Sequence, residues 1–482
     1  MHLARVEAEG NIQSRPHRRA VRSLAQVLRS SFRFALPAVA MASLLGCGNT
    51  YRPVVSAINP VGPAAQPEKF AVAISSTGAT TPGLATFVDF SGDTTLITVQ
   101  IGVNPYYLIL NSGGNTGFTL NSDHTLTTYG ISTQLLQSQV LQTTLLPDAN
   151  PNSIFPEGTS TYVSDPGLQA ISQFTGQPLT LQQDLGINSA FTPVYVAGIA
   201  SAPRVYAISQ RNGGGLGQVS TIETLSNTID PAPIPVGANP VYGVMTADAR
   251  RAFILNQGDG TVSVINAQTN QLDIVPTGAT NPITVGTSPL WADFAPIRNE
   301  MVVVNAGDKV NPGSLSIINI PLCSANAQPS NPNCDPNNPV DATGFGTVLA
   351  TVPVGINPIM VGVLQDNTNS RAYVLNSGNP NLPCAAPTAA LPLGNCTVSV
   401  VNLNTNTVIA TIPVVTNPIG VGLPNLNGHP SYIAVTSGTP TGKVYAVSPE
   451  SNFMTVIRTD TDVVDTTVPL LGNGVAVRVT AP

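Results

Sequence analysis

Few side chains in this chain could do chemistry. Of four histidines, two fall in the first 17 residues, leaving His124 and His429. His124 follows Asn121-Ser122-Asp123 and His429 sits between Gly428 and Pro430, so both read as exposed turn residues rather than a catalytic dyad. Neither an HExxH metal motif nor a G-x-S-x-G nucleophile elbow is present. Gly438 to Lys443 (GTPTGK) has the outline of a phosphate loop. Its spacing is one residue short, however, and Val444 stands where such a loop needs a metal-binding Ser or Thr, so it reads as a hairpin loop. Asp460, Asp462 and Asp465 could attract calcium, but Asp462 aligns with Asn270 and Asn406 in a recurring turn. Trp291, the single tryptophan, falls in SPLWADFAP and reads as a core or channel-lining residue able to stack on a ligand. No catalytic group, metal or cofactor is expected.

The five cysteines divide by context. Seven arginines and two acids give residues 1–46 a net charge of +5, and their apolar run Phe34 to Leu45 is too short to span a bilayer. A basic segment, a short apolar segment and small residues make an export signal over 1–46. Leu44-Leu45-Gly46-Cys47 resembles a bacterial lipoprotein signal, which implies lipidation at Cys47 and a cell-envelope address facing the periplasm or the exterior. The remaining four, Cys323, Cys334, Cys384 and Cys396, form two close pairs in Pro/Asn-rich loops. In an exported chain these pairs read as disulfides. Zinc is disfavoured because no histidine adjoins either pair in the sequence and neither has tight C-x₂₋₄-C spacing.

Only 9% of residues are charged, against about 25% in ordinary globular chains. Residues 47–482 carry a net charge of −11, with Lys69, Lys309 and Lys443 as the whole lysine set. That balance excludes a nucleic-acid partner, which requires a basic patch. Residues 47–68, rich in proline, read as a semi-rigid tether.

The elements that would position these groups announce themselves as repeats. Thr261 (TVSVINAQTNQL), Thr397 (TVSVVNLNTNTV) and Met454 (MTVIRTDTDVV) begin similar segments, with a shorter copy at Ser314. Upstream stand RAFILNQG (Arg251), EMVVVNAG (Glu300), RAYVLNSG (Arg371) and SYIAVTSG (Ser431), which align as second strands. Junctions recur as IGVNP (Ile101), VGANP (Val236), VGTSP (Val285), VGINP (Val354) and VVTNP (Val414). Each unit reads as four short strands, the signature of a β-propeller blade. The pattern resembles the YVTN-type β-propeller repeat of bacterial surface proteins, most strongly over 239–470. The resemblance implies an all-β propeller of seven to eight four-stranded antiparallel blades over 69–482. Strands from the two termini would share the closing blade. Units begin near 101, 150, 189, 239, 285, 356 and 416; with the shared blade they make eight, or seven if 101–188 is one irregular blade.

Two inserts interrupt the units, near 321–345 and 379–395. The second lies between second and third strands, on the face of the Asn-Pro junctions. Long loops on a rigid scaffold are where binding residues concentrate. The candidate recognition surface therefore comprises that face with Asn376, Asn379 and Asn395 at its rim and Trp291 at the channel. The expected function is a lipid-anchored binding module, monomeric, taking a protein or carbohydrate ligand and meeting the membrane through its anchor alone. Two alternatives are a lactonase- or dehydrogenase-like enzyme using the axial channel and a purely structural envelope protein. Convergence of three or more carboxylates or histidines at the channel would favour the enzyme.

Overall fold

The computed structural model describes residues 70–131, 139–200, 202–273, 280–320, 344–364, 370–384, 395–413, 428–436 and 442–480. All belong to the unit Ser56–Pro482. Cys47, the tether, Cys323, Cys334, the junction at Val414 and most of the GTPTGK loop lie outside them.

The described residues form eight four-stranded antiparallel blades in a propeller ring, two of them with an additional short strand segment. Blades are numbered here by their innermost strands. These are Asn473–Val479 (blade 1), Pro105–Leu110 (2), Ser153–Glu157 (3), Phe191–Ala197 (4), Pro240–Met245 (5), Pro289–Ala295 (6), Pro358–Leu364 (7) and Tyr432–Val435 (8). Each innermost strand touches those of the blades on either side, and blade 8 meets blade 1, so the circle closes. Residues 101–188 make two blades, which decides the count in favour of eight.

Closure is the shared blade expected from the two ends. Phe70–Ser76 pairs antiparallel with Asn473–Val479, Ala71 opposite Val479 and Ser76 opposite Asn473. The Thr480 N–H also donates to the Phe70 carbonyl at 3.0 Å. This pairing leaves no inner strand position unfilled in the ring.

One alignment is corrected. Ser431 begins a segment that resembles the second strands, yet Tyr432–Val435 is the innermost strand of blade 8 and Lys443–Val447 is the second. The local pattern misleads because first and second strands of a blade share the same alternation of β-branched and aromatic residues.

The recurring motifs have a common physical basis. Residues before the junction prolines, Asn104, Asn239, Ser288 and Asn357, adopt left-handed φ of 45°, 45°, 59° and 48°. Small polar residues tolerate that region best. The asparagine that ends several second strands is buried and turned inward, where its amide bridges the third strand of its own blade. Asn256 donates to Thr261 at 3.0 Å and Ser263 at 2.9 Å, and Asn376 to Thr397 and Ser399, both at 2.9 Å. Asn305 repeats this with Ser314 and Ser316. A Cβ on the junction glycine of the same blade or the one before it (Gly237, Gly286, Gly355) would collide with that amide. Glycine, asparagine and the Thr-x-Ser pair therefore form one packing unit.

A second device ties neighbouring blades. In blade 7, Arg371 and Tyr373 on the second strand both bond Asp462, at 2.8 and 2.6 Å, in the outer turn of blade 8. Asp462 itself takes φ 54° in that turn. Lys443 of blade 8 reaches Asp93 of blade 1 in the same way, at 2.7 Å. Removing one member of such a shielded pair strands the other, at about 3 kcal/mol. Asp462→Ala should therefore lower the denaturant midpoint by that equivalent, and an unchanged midpoint would discard the clamp.

Candidate functional site

The site is the axis of the ring. In six blades a proline stands at or near the start of the innermost strand (in blade 4 it is the strand's third residue, Pro193), and the residue two positions beyond it points to the axis. The five aromatic cases are Tyr107, Tyr195, Tyr242, Trp291 and Tyr432; Met360 completes the set. In five of the six blades the ladder slips between the proline and the lining residue: Pro105/Tyr107, Pro193/Tyr195, Pro240/Tyr242, Pro289/Trp291 and Pro358/Met360. A bulge re-aims the following side chain, so proline sets up the direction in which each ring points. Because the register repeats, the rings stand at one level as a collar. Tyr195 and Tyr242 lie 4.9 Å apart by ring centroid, Tyr242 and Trp291 stack at 4.3 Å, and Trp291 meets Tyr432 edge-on at 6.2 Å.

Blade 1 departs from this pattern. Its residue at collar level is Ala476, opposite Ile74, and Arg478 follows two positions on, opposite Val72. The small alanine leaves room for the arginine to reach the rings. Its guanidinium carbon sits 4.9 Å from the Tyr432 ring centroid and 5.8 Å from that of Trp291. Asp293, opposite Val302, occupies the corresponding position two residues beyond Trp291 in blade 6. Among the described innermost strands, the charged side chains are Glu157, Asp293 and Arg478.

The electrostatics of the axis are unbalanced. Arg478 makes no ion pair with a described carboxylate, and its Nε is buried without a hydrogen-bond partner. Burial pushes the phenols of Tyr107, Tyr195, Tyr242 and Tyr432 above their ordinary range. At neutral pH these tyrosines are therefore uncharged and offer the guanidinium ring faces, not phenolates. Tyr107 and Tyr432 also border a cavity of about 320 Å³ that Leu108, Ser431, Pro449 and Val475 help to enclose. Its size suits a small molecule.

Asp293 is held differently. Its Oδ2 accepts the Val363 N–H and its Oδ1 the Phe294 N–H, both at 2.8 Å. Burial nevertheless pushes its carboxyl up to about 6, with the two N–H bonds and the Arg478 charge only partly opposing this. The native state thus holds this proton more tightly than the unfolded chain, where the group titrates near 3.8. Its contribution to stability is complete below that value and lost as pH rises through about 6. The ionised form also competes with any anion drawn to Arg478. Anion affinity should fall severalfold as pH rises through about 6, and Asp293→Asn should flatten that profile in calorimetric titrations.

The sequence-derived candidates fall in two places. Trp291 is in the collar. Asn376 ends the second strand of blade 7, and Asn379 and Asn395 lie in its second-to-third connection; all three are buried, on the face of the Asn-Pro junctions. Ser377 and Gly378 bond back to the junction carbonyls of Asn357 and Ile356, at 2.9 and 3.0 Å. Asn395 organises the turn: its Oδ1 accepts the Asn379 N–H at 2.8 Å, and its Nδ2 donates to Leu382 O at 2.9 Å. Asn379 and Asn395 bond within the turn and the Asn376 Nδ2 within the blade, while the Asn376 Oδ1 is buried without a partner. Cys384 and Cys396 form the expected disulfide. His124 lies in an exposed turn with φ 57°. His429 does not: it is half-buried beside the Cys384–Cys396 pair, bonded to Glu450 at 2.7 Å. Lys443, the end of GTPTGK, is buried against Phe90 O and Asp93, which leaves it no phosphate role.

Arg478, Asp293 and the tyrosine collar were not anticipated. The collar had a readable signal, the proline-x-aromatic spacing repeated at 105, 193, 240, 289 and 430.

No family model matches the chain, and no curated protein does. Many solved structures are similar. The dihydro-heme d1 dehydrogenase NirN in complex with DHE matches over 87% of this chain and 77% of its own, at 10% identity and a TM-score of 0.55. Apo AztD from Citrobacter koseri matches over 85% and 97%, at 9% identity and a TM-score of 0.54. At such identities the likeness extends to the propeller fold alone.

Proposed function

We propose that this protein is an exported, lipid-anchored propeller of the YVTN repeat type that binds a small organic anion with a flat apolar body in its axial channel. The observation that carries the reading is Arg478: an enclosed guanidinium, free of carboxylate contact and with an orphaned Nε, set against aromatic rings. Buried polar groups are ordinarily satisfied, and an exception at the axis of a ring points to a ligand. A carboxylate can take two guanidinium N–H groups at once, and the collar supplies stacking surface for the remainder. A ligand of that kind is recognised by its charge and its flat face together.

A binding role is favoured over catalysis because the described innermost strands carry two carboxylates, Glu157 and Asp293, and no histidine. The address rests on the basic leader, the short apolar run and Cys47. Calorimetric titration with benzoate, benzamide and acetate tests the reading. Benzoate should bind with one site per chain, and benzamide and acetate each at least about tenfold more weakly, since one lacks the charge and the other the ring. Equal binding of benzoate and benzamide would remove Arg478 from the account.

A further inference from the structure

The Cys384–Cys396 disulfide has a third neighbour. One ligand atom from each of Cys384, Cys396 and His429 falls within 4.8 Å of the other two. The cysteines belong to the second-to-third connection of blade 7, and His429 to the chain entering blade 8, so the cluster joins two blades on the Asn-Pro face. We propose that Cys384, Cys396 and His429 form a redox-gated site for a thiophilic divalent cation, closed while the sulfurs are bonded to each other and open when they are reduced. This goes beyond the channel reading and does not depend on it.

Three features prepare the site. His429 Nδ1 is 2.7 Å from Glu450 Oε1, and a carboxylate on one ring nitrogen is the usual second shell of a metal-binding histidine. Nε2 now faces the Leu382 carbonyl oxygen at 3.0 Å, two residues from Cys384. Two acceptors on one ring are served only by an imidazolium, so a neutral His429 has a nitrogen to offer a cation instead. Secondly, Cys396 Sγ lies 3.1 Å from the Ser377 carbonyl oxygen, which gives the reduced thiol an acceptor ready in place. Finally, two glycines clear the space. A Cβ on Gly378, at φ 82°, would lie 2.7 Å from Cys396 Sγ, and one on Gly428, at φ 85°, would lie 2.5 Å from the Glu450 Cβ.

The chemistry balances simply. A dithiol reductant gives two electrons and two protons to the disulfide, leaving two thiols here and a new disulfide on the reductant. A divalent cation then displaces both thiol protons and binds the His429 nitrogen, as in Cys₂His sites with the fourth position open to solvent. In reverse, an external disulfide takes the two electrons and, with two protons from solvent, leaves as two thiols; the re-formed Cys384–Cys396 bond expels the cation, because a disulfide sulfur is a poor ligand.

The test uses the mature chain with Cys47, Cys323 and Cys334 changed to serine, leaving only this pair. After reduction and removal of the reductant under anaerobic conditions, cobalt(II) is added and the thiolate-to-cobalt charge-transfer band is followed. One equivalent per chain is expected to bind, zinc should displace it, and the disulfide form should show no band. Cys396→Ser should abolish the band, and Glu450→Gln should weaken cobalt binding by about tenfold through the histidine. His429→Gln should weaken it further while far-UV circular dichroism stays that of the parent. Absence of a band in the reduced chain, an equal affinity in the disulfide form, or full affinity in His429→Gln would each overturn the proposal. Should Cys396→Ser fail to fold, the comparison of reduced and oxidised parent still decides.

Discussion

Arg478→Met is expected to weaken benzoate binding by at least about a hundredfold, the scale for truncating one partner of a buried charge pair. The melting temperature should stay level or rise. Methionine keeps much of the arginine's length and flexibility against the Tyr432 and Trp291 rings but removes an enclosed charge that no described carboxylate contacts. Replacing a largely enclosed charge that makes no ion pair with an apolar group of similar length is often stabilising. Arg478→Lys separates charge from shape: it preserves the cation and loses the two-pronged donor, so its affinity should fall between the two. Equal affinity in the parent and the methionine variant would show that the anion is held elsewhere. Differential scanning fluorimetry and calorimetric titration of the three proteins give both readouts.

The second large effect concerns location. Cys47→Ala should move the protein from the membrane fraction to the soluble fraction almost completely. Among the described residues no helix is long and apolar enough to cross a membrane, and the propeller strands are antiparallel blades that bury their faces against one another. Under the proposed lipoprotein reading, a lipid at residue 47 is the hold on the bilayer. Unchanged membrane partition in fractionated cells would reject the anchor.

The architecture was legible because it is local and repeated. A glycine that makes room for an asparagine, an asparagine that reaches Thr-x-Ser, and a left-handed residue before proline all lie within one or two strands of each other. Four copies of such a unit are visible without knowing what they touch. Even the closing blade could be read, since Lys69 to Ile101 lacks a first strand and Leu470 onward supplies one. Blade 8 was harder because Tyr432–Val435 carries the pattern of a second strand while occupying the innermost place.

The chemistry was much less legible, for a different reason. Arg478 is one cation in a run of small and β-branched residues, GVAVRV, and its meaning comes from rings on other blades. Tyr432 and Trp291 reach it only when eight blades close on themselves. Asp293 likewise depends on the N–H of Val363, a residue of the next blade. His429 and Leu382 are 47 residues apart in the chain and bond across the boundary between blades 7 and 8. Zinc was set aside because no histidine adjoins the cysteines in sequence; adjacency in the folded ring is what brings one there. The three rim asparagines illustrate the converse. Their type and their place in an insert suggested contacts with a ligand, whereas Asn376 and Asn395 satisfy strand and turn groups inside the blade.

The chain's single tryptophan happens to be a collar residue, stacked on Tyr242 and 5.8 Å from the Arg478 guanidinium. Its fluorescence therefore reports on the axial channel without any label. Titration of the mature protein with benzoate, followed at Trp291 emission, is the most direct measurement. A saturable change with benzoate that is absent with benzamide and lost in Arg478→Met is the predicted result. Benzoate binding that calorimetry detects while Trp291 emission stays constant, or an emission change that survives in Arg478→Met, would contradict an anion site at the axis.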